Sequence, residues 1–116
     1  MLRLKSNCVG IDQGDVVIFS DFQDNGDMWT GSGPRERRKA VTFGEAFIAA
    51  PVVQVSISLW DVDGATSVRA DISAEAITTK GFELVFRTWA DTRVARLRAN
   101  WMAIGALSDD DSWDVL

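Results

Sequence analysis

Trp89 stands beside a short polar turn, which makes it the first candidate for a binding residue in this chain. The turn, Ala90-Asp91-Thr92-Arg93, separates two apolar segments and contains an aspartate that can hydrogen-bond its own backbone. A tryptophan in such a place can form the floor of a sugar site, since the C–H face of a pyranose packs against an aromatic plane. It can equally be a buried interface residue, because tryptophan is enriched at interfaces. The turn itself leaves both interpretations open.

Acid–base and metal chemistry have few suitable residues. The chain contains no histidine, the commonest general base and metal ligand. Its absence excludes or weakens the usual serine-hydrolase, Cys–His and zinc chemistries. Its 17 acidic residues will form close pairs by chance, whereas a glycosidase needs two at a set separation. We therefore predict no enzyme, no catalytic residue and no cofactor.

The acidic run Asp109-Asp110-Asp111 near the C-terminus is the one candidate metal site. It lacks the spaced ligands and the glycine of a calcium loop, so we predict a solvated tail and no metal. The single cysteine, Cys8, cannot form a disulfide within the chain. It could bridge two chains in an oxidising compartment, although a free thiol near the terminus is the simpler interpretation.

Length and charge limit the class of protein. A chain of 116 residues suits a single domain. The net charge of −5 argues against nucleic acid as a partner. The basic cluster at residues 35–39 contains an acid and indicates a solvated loop or strand edge. No apolar run reaches the length of a membrane helix, and no Sec-type signal is recognisable. We expect no membrane insertion, and either a cytoplasmic location or export by a non-classical or particle-associated route.

The elements that must position Trp89 are strands. Apolar and polar residues alternate, and turn signals recur about every ten residues. The predicted strands cover residues 15–22, 39–43, 52–60, 67–77, 82–89 and 94–104. Such a pattern predicts an all-β, single-domain, six-stranded antiparallel β-sandwich. Residues 1–34 should form an N-terminal strand and a Gly/Asp-rich loop packed on the sandwich of residues 35–107, followed by the acidic tail at 108–116.

The outward faces of these strands carry charges of both signs. The residues concerned are Asp71, Glu75, Glu83, Arg87, Arg96 and Arg98. On a lone domain such rows form a solvated face. In a homo-oligomer they would pair strands across subunits in a fixed register, and the many Trp and Phe residues fit that alternative.

An ordered set of residues between about 35 and 105 resembles the H-type lectin domain, a family found in snail agglutinins and in the C-terminal domains of discoidins. The set ends in Thr88-Trp89, Thr92, Val94 and Trp101. Its earlier members are Val41-Thr42-Phe43, Pro51-Val52-Val53, Ser56-Ile57, Asp61, Arg69 and Gly81-Phe82.

The resemblance implies a trimer, with a hexamer as the larger alternative, and shallow sites at the subunit boundaries for galactose or N-acetylgalactosamine. It assigns Arg69 as the guanidinium that hydrogen-bonds sugar hydroxyls and Trp89 as the ring under the sugar. Such a site needs no cofactor, and the implied partners are glycans and other copies of the chain.

Three positions depart from the family's pattern. Ser32 stands where the family has an aspartate, Ala90 where it has a histidine, and Ala95 where it has an aromatic residue. In the family this aspartate is the strongest hydrogen-bond acceptor for the sugar. Asp27 and Asp91 are the candidates to replace it. The sequence therefore supports two hypotheses: a sugar-binding module, or a trimeric assembly domain of a fibre, spike or adhesin that has lost sugar binding.

Overall fold

The computed structural model describes residues 1–109, and nearly all its regular structure is β. One helical turn, α1, interrupts the loop after the first strand. The elements are β1 (Cys8–Ser20), α1 (Asp27–Thr30), β2 (Arg35–Thr42), β3 (Val52–Val62), β4 (Asp71–Glu75), β5 (Gly81–Thr88) and β6 (Val94–Leu107). No helix within the described range is long and apolar enough to cross a membrane.

The strands form two antiparallel three-stranded sheets, ordered β1-β6-β3 and β2-β5-β4. Their inner faces enclose the core, in which Leu84, Phe86 and Leu97 are fully buried. The alternation over the first part of β3 is as predicted: Val53, Val55 and Ile57 pack against the core. The predicted all-β, six-stranded antiparallel sandwich is thus confirmed.

β1 begins at Cys8, seven residues before the start predicted from the alternation. Its inward positions there include Gly10 and Gly14, which have no apolar side chain, so the sequence shows no alternation at this point. A Cβ at Gly14 would lie 2.9 Å from Trp101 Nε1, so the missing side chain makes room for the indole. β1 pairs with β6 along its length, whereas the predicted division at residues 34 and 107 stays a prediction.

β2 also begins earlier than predicted, at Arg35, so the basic cluster is a strand and not a loop. β2 is one of the two edge strands of its sheet, which agrees with the alternative that the basic cluster forms a strand edge. Arg35 itself departs from the solvated interpretation, because only 8% of it is exposed.

β4 is shorter than the predicted strand 67–77 and spans only Asp71–Glu75. At its end Ala76 adopts φ 51, a left-handed conformation that interrupts the extended chain. Before it, residues 67–69 are bound to the side chains of Thr88 and Thr92 instead of a strand partner. Side-chain hydrogen bonding therefore replaces the sheet ladder here.

The antiparallel order gathers three loops at one end of the sandwich, which we call the hairpin end because β5 turns into β6 there. These loops cover residues 21–34, 63–70 and 89–93. The opposite end carries the loops 43–51 and 76–80 and the start of β1, where the free thiol of Cys8 is exposed.

A candidate binding surface at the hairpin end

Trp89 lies one residue beyond β5, and the residue remains 43% exposed. Thr88 before it is buried, while Ala90 after it adopts φ 60. For a residue with a Cβ this left-handed conformation costs on the order of 1 kcal/mol. The tight turn leaves the indole of Trp89 at the surface.

Trp89 lines a shallow groove of about 620 Å³ on the side of the β2-β5-β4 sheet. The other lining residues are Pro34, Arg35, Glu36, Ala70, Asp71, Arg87 and Thr88. Asp71 and Arg87 face each other in the register of β4 and β5. The groove thus combines one aromatic plane with carboxylate acceptors and a guanidinium donor.

Arg69 is held beside the turn by two buried threonines. Its backbone N–H donates to Thr92 Oγ1 at 3.0 Å, and its carbonyl accepts from Thr88 Oγ1 at 2.5 Å. Thr92 Oγ1 also donates to the carbonyl of Ser67 at 2.8 Å. The backbone of Arg69 is therefore fixed, while its side chain is exposed next to Ala70 of the groove.

Asp91 is ionised and partly engaged. Its carboxylate accepts hydrogen bonds from the hydroxyl and, at 3.3 Å, from the backbone N–H of Ser67. The Ser67 hydrogen bond is the main reason that the pKa of Asp91 is lowered, and the positive charge of Arg69 lowers it further. An exposed carboxylate beside Arg69 can accept further hydrogen bonds.

Ser32 lies in a loop that is tied to the same turn. The neighbouring Gly33 donates its N–H to the carbonyl of Ala90 at 2.8 Å. Ser32 itself is exposed. The other candidate acid, Asp27, lies at the start of α1, and its carboxylate accepts a hydrogen bond from Arg37 Nη2 at 2.5 Å.

Arg35 joins the loop to the hairpin turn. Its guanidinium donates to the carbonyl oxygens of Gly33 at 2.9 Å and of Ala90 at 3.4 Å. It donates also to the carbonyls of Asp27 and Met28, each at 3.2 Å. A buried arginine that donates its hydrogen bonds to backbone carbonyls fixes the geometry of a loop. Arg35 therefore positions the loop 21–34 beside Trp89.

The charged side chains of the β2-β5-β4 sheet bind one another. Arg38 contacts Glu36 at 2.8 Å and Glu83 at 2.7 Å, and Arg87 contacts Glu36 at 2.9 Å and Glu75 at 2.6 Å. The bond from Arg87 is the main cause that lowers the pKa of Glu75 to about 2. These contacts support the solvated-face interpretation for this sheet.

On the other sheet, Arg96 faces Asp61 and Arg98 donates to Ser58.

The four residues predicted for the site all lie at the hairpin end, but only Trp89 lines the groove. Arg69, Asp91 and Ser32 lie in the adjoining loops, outside its lining. The sequence did not identify Asp71 and Arg87 as site residues, although both were recognised as outward-facing. Aligning them with Trp89 requires the β4–β5 register, which the sequence pattern did not supply.

Residues 1–109 contain no group of three or more Cys, Asp or Glu side chains placed to hold a metal ion. Of the predicted acidic tail at 108–116, residues 110–116 lie outside the described residues, Asp110 and Asp111 among them.

Comparison with known proteins adds a family assignment. The model of the H-type lectin domain matches residues 38–104. The chain is 55% identical over 115 residues to the ATP synthase subunits region ORF 7 protein of Fuscovulum blasticum, covering 99% of each. It is 40% identical over 81 residues to a discoidin-1 chain of Dictyostelium discoideum, covering 69% of this chain and 32% of that one. The chain thus spans about a third of that relative's length.

Solved structures agree on the fold. Discoidin II of Dictyostelium discoideum superimposes with a TM-score of 0.74 at 25% identity, covering 90% of this chain and 40% of that one. The tailspike protein gp49 of Pseudomonas phage LKA1 gives a TM-score of 0.52 at 18% identity, over 86% and 15% of the two chains, and shows a shared fold alone. With the family match over more than half of its length, the chain belongs to the H-type lectin domain family.

Proposed function

We propose that this protein is a carbohydrate-binding module without catalytic activity, which binds terminal galactose- or N-acetylgalactosamine-type sugars at the hairpin end. The observation that carries the proposal is the exposed indole of Trp89 beside a groove rich in polar side chains. Membership of a lectin family supports the same conclusion. Discoidin II shares the fold of this chain.

Each predicted residue has a role in this proposal. The ring of Trp89 packs against the C–H face of the pyranose. Arg69 donates to ring hydroxyls, and Ser32 offers a hydroxyl from the adjoining loop. Asp91 replaces the family's missing aspartate as the charged acceptor, because its lowered pKa keeps it ionised. The charge of Arg69 contributes to that lowering, so the two side chains are close enough to act on one sugar.

The proposed assembly is a homotrimer with the sugar sites near the subunit boundaries, and a hexamer of two such trimers is the larger alternative. Its support is the outer face of the β1-β6-β3 sheet, where one cross-strand row is apolar. The row consists of Ile11, Ile104 and Val52, which face each other in register. Ile11 and Val52 are more than half exposed. Contiguous apolar surface of this kind is typical of contacts between proteins.

The direct test is a glycan array followed by calorimetry with the best ligand. Trp89→Ala should remove one binding site per chain for galactose-type sugars, seen as a lower calorimetric stoichiometry, while leaving the thermal midpoint nearly unchanged. Trp60→Ala is the matched control, because Trp60 is 49% exposed on β3 and does not line the groove. Equal loss in both variants, or a stoichiometry that Trp89→Ala leaves unchanged, would contradict the assignment of this site.

The second candidate function is the assembly domain that has lost sugar binding. The observations that favour it are the apolar row on β1-β6-β3 and the replacement of three family site residues by Ser32, Ala90 and Ala95. A trimer in sedimentation experiments combined with silence across a broad array would favour it over the lectin. Ile11→Glu should break the oligomer, whereas Gln13→Glu, on the same strand face, should not.

A further inference from the structure

A second aromatic surface lies at the hairpin end, on the side of the β1-β6-β3 sheet. Phe22 follows β1 and is 58% exposed, with its ring centroid 5.2 Å from that of Trp29 at an interplanar angle of 69°. The two rings border a depression of about 250 Å³, which also contains Gln23, Asp61 and Arg96. This surface shares no lining residue with the groove beside Trp89.

Trp29 is held rigidly in this surface by Arg93. The guanidinium carbon lies 4.2 Å from the centroid of the indole, and Nε donates to the carbonyl of Trp29 at 2.8 Å. Nη1 of the same arginine binds Asp63 at 3.2 Å. A ring fixed in advance costs little entropy when a ligand settles on it, which favours binding.

Asp61 and Arg96 supply the polar part of the depression. Their closest N–O distance is 3.5 Å, and both side chains are more than half exposed. On the opposite sheet Arg87 lies only 2.6 Å from Glu75. The Asp61–Arg96 pair is therefore loose, and its acceptor and donor remain open to a ligand.

We propose that this depression is a second saccharide site, which takes a neutral pyranose. The sugar would lie with its C–H face on the exposed ring of Phe22 and its rim against Trp29, which stands at 69° to that ring, while its hydroxyls bind Asp61, Arg96 and Gln23. The carboxylate and the guanidinium balance each other, so the site has no excess charge to favour an acidic sugar. Each chain then presents two sugar sites at the same end, and a branched or repeating glycan could engage both.

The experiment follows the indole N–H signals of Trp29 and Trp89 by NMR during titration of the full chain with galactose, N-acetylgalactosamine, glucose and mannose. We expect the Trp29 signal to shift with at least one sugar. Phe22→Ala should weaken that binding about tenfold, whereas Trp89→Ala should leave it within twofold. Asp61→Asn, an exposed and nearly isosteric change, should weaken it similarly and guards against a folding defect in the Phe22 variant.

The outcomes separate this site from the one around Trp89. A Trp29 signal that stays still with every sugar overturns the second site, whatever Trp89 does. If the Trp29 signal shifts and the Trp89 signal does not, the result supports the second site and counts against the first. If Phe22→Ala and Asp61→Asn leave sugar binding intact but lower the sedimentation mass, the surface is a contact between copies of the chain, and the proposal is wrong.

Discussion

The two ends of the sandwich use aromatic rings in opposite ways. Towards the opposite end, Phe43 contacts three other rings at centroid distances of 5.1 to 5.9 Å, and the cluster closes over the core. At the hairpin end, Phe22 and Trp89 remain largely exposed beside polar side chains. The difference shows that the aromatic content does not by itself indicate binding. A ring becomes a candidate site only where the fold leaves it exposed beside polar side chains.

The largest expected effect tests the closed cluster. Phe82→Ala removes a ring that is only 3% exposed and leaves a cavity among Phe43 and Trp101. We expect a loss of about 3–5 kcal/mol in the free energy of unfolding, measured by urea denaturation. Trp89→Ala should cost less than about 0.5 kcal/mol in the same experiment. Similar losses in the two variants would remove the distinction between the ends.

An intermediate effect on stability is expected at Arg35, which holds the loops of the hairpin end together. Arg35→Met keeps the length of the side chain but leaves the carbonyls of Gly33 and Ala90 without this donor. We expect a loss of about 2 kcal/mol, together with faster amide exchange in residues 26–34.

Arg38→Met is the control for Arg35, because Arg38 is exposed in the surface network on the same strand. It should cost about 0–1 kcal/mol. If amide exchange in residues 26–34 responds equally to both variants, Arg35 does not position the loop.

The smallest effect tests the charged outer face of β2-β5-β4. The folded state lowers the pKa of Glu75 from 4.5 to about 2, so the charged Glu75 stabilises the fold fully above pH 4.5. That contribution is lost as the pH falls towards 2. The urea midpoint of the wild type should therefore decline over this range more steeply than that of Glu75→Gln. In 1 M salt the difference should shrink, because surface pairs are screened. Parallel pH profiles would show that the Arg87–Glu75 pair adds no stability.

The sequence predicted the strands whose inward residues are large and apolar, and it failed where they are not. β3 and β6 alternate between apolar and polar residues, so their presence and faces were predictable. In β1 the inward Gly10 and Gly14 hide the alternation, and in β2 charged residues do so. The shortened β4 depends on hydrogen bonds from Thr88 and Thr92, which are distant in sequence.

Prediction of the site was limited for the same physical reason. Trp89 was identifiable because it adjoins a turn. Asp71 and Arg87 meet beside it only through the β4–β5 register. The pair of Phe22 and Trp29 lies in a loop without periodicity, so no sequence pattern could bring their rings together.

The position of Cys8 has a practical consequence for studying the molecule on a surface. Its exposed thiol begins β1, whose 13 residues separate it from the hairpin end by roughly 40 Å at about 3.3 Å per residue. A maleimide-coated chip or bead would therefore hold every molecule by its far end. The aromatic surfaces would point into solution in one common orientation, and no engineered tag would be needed.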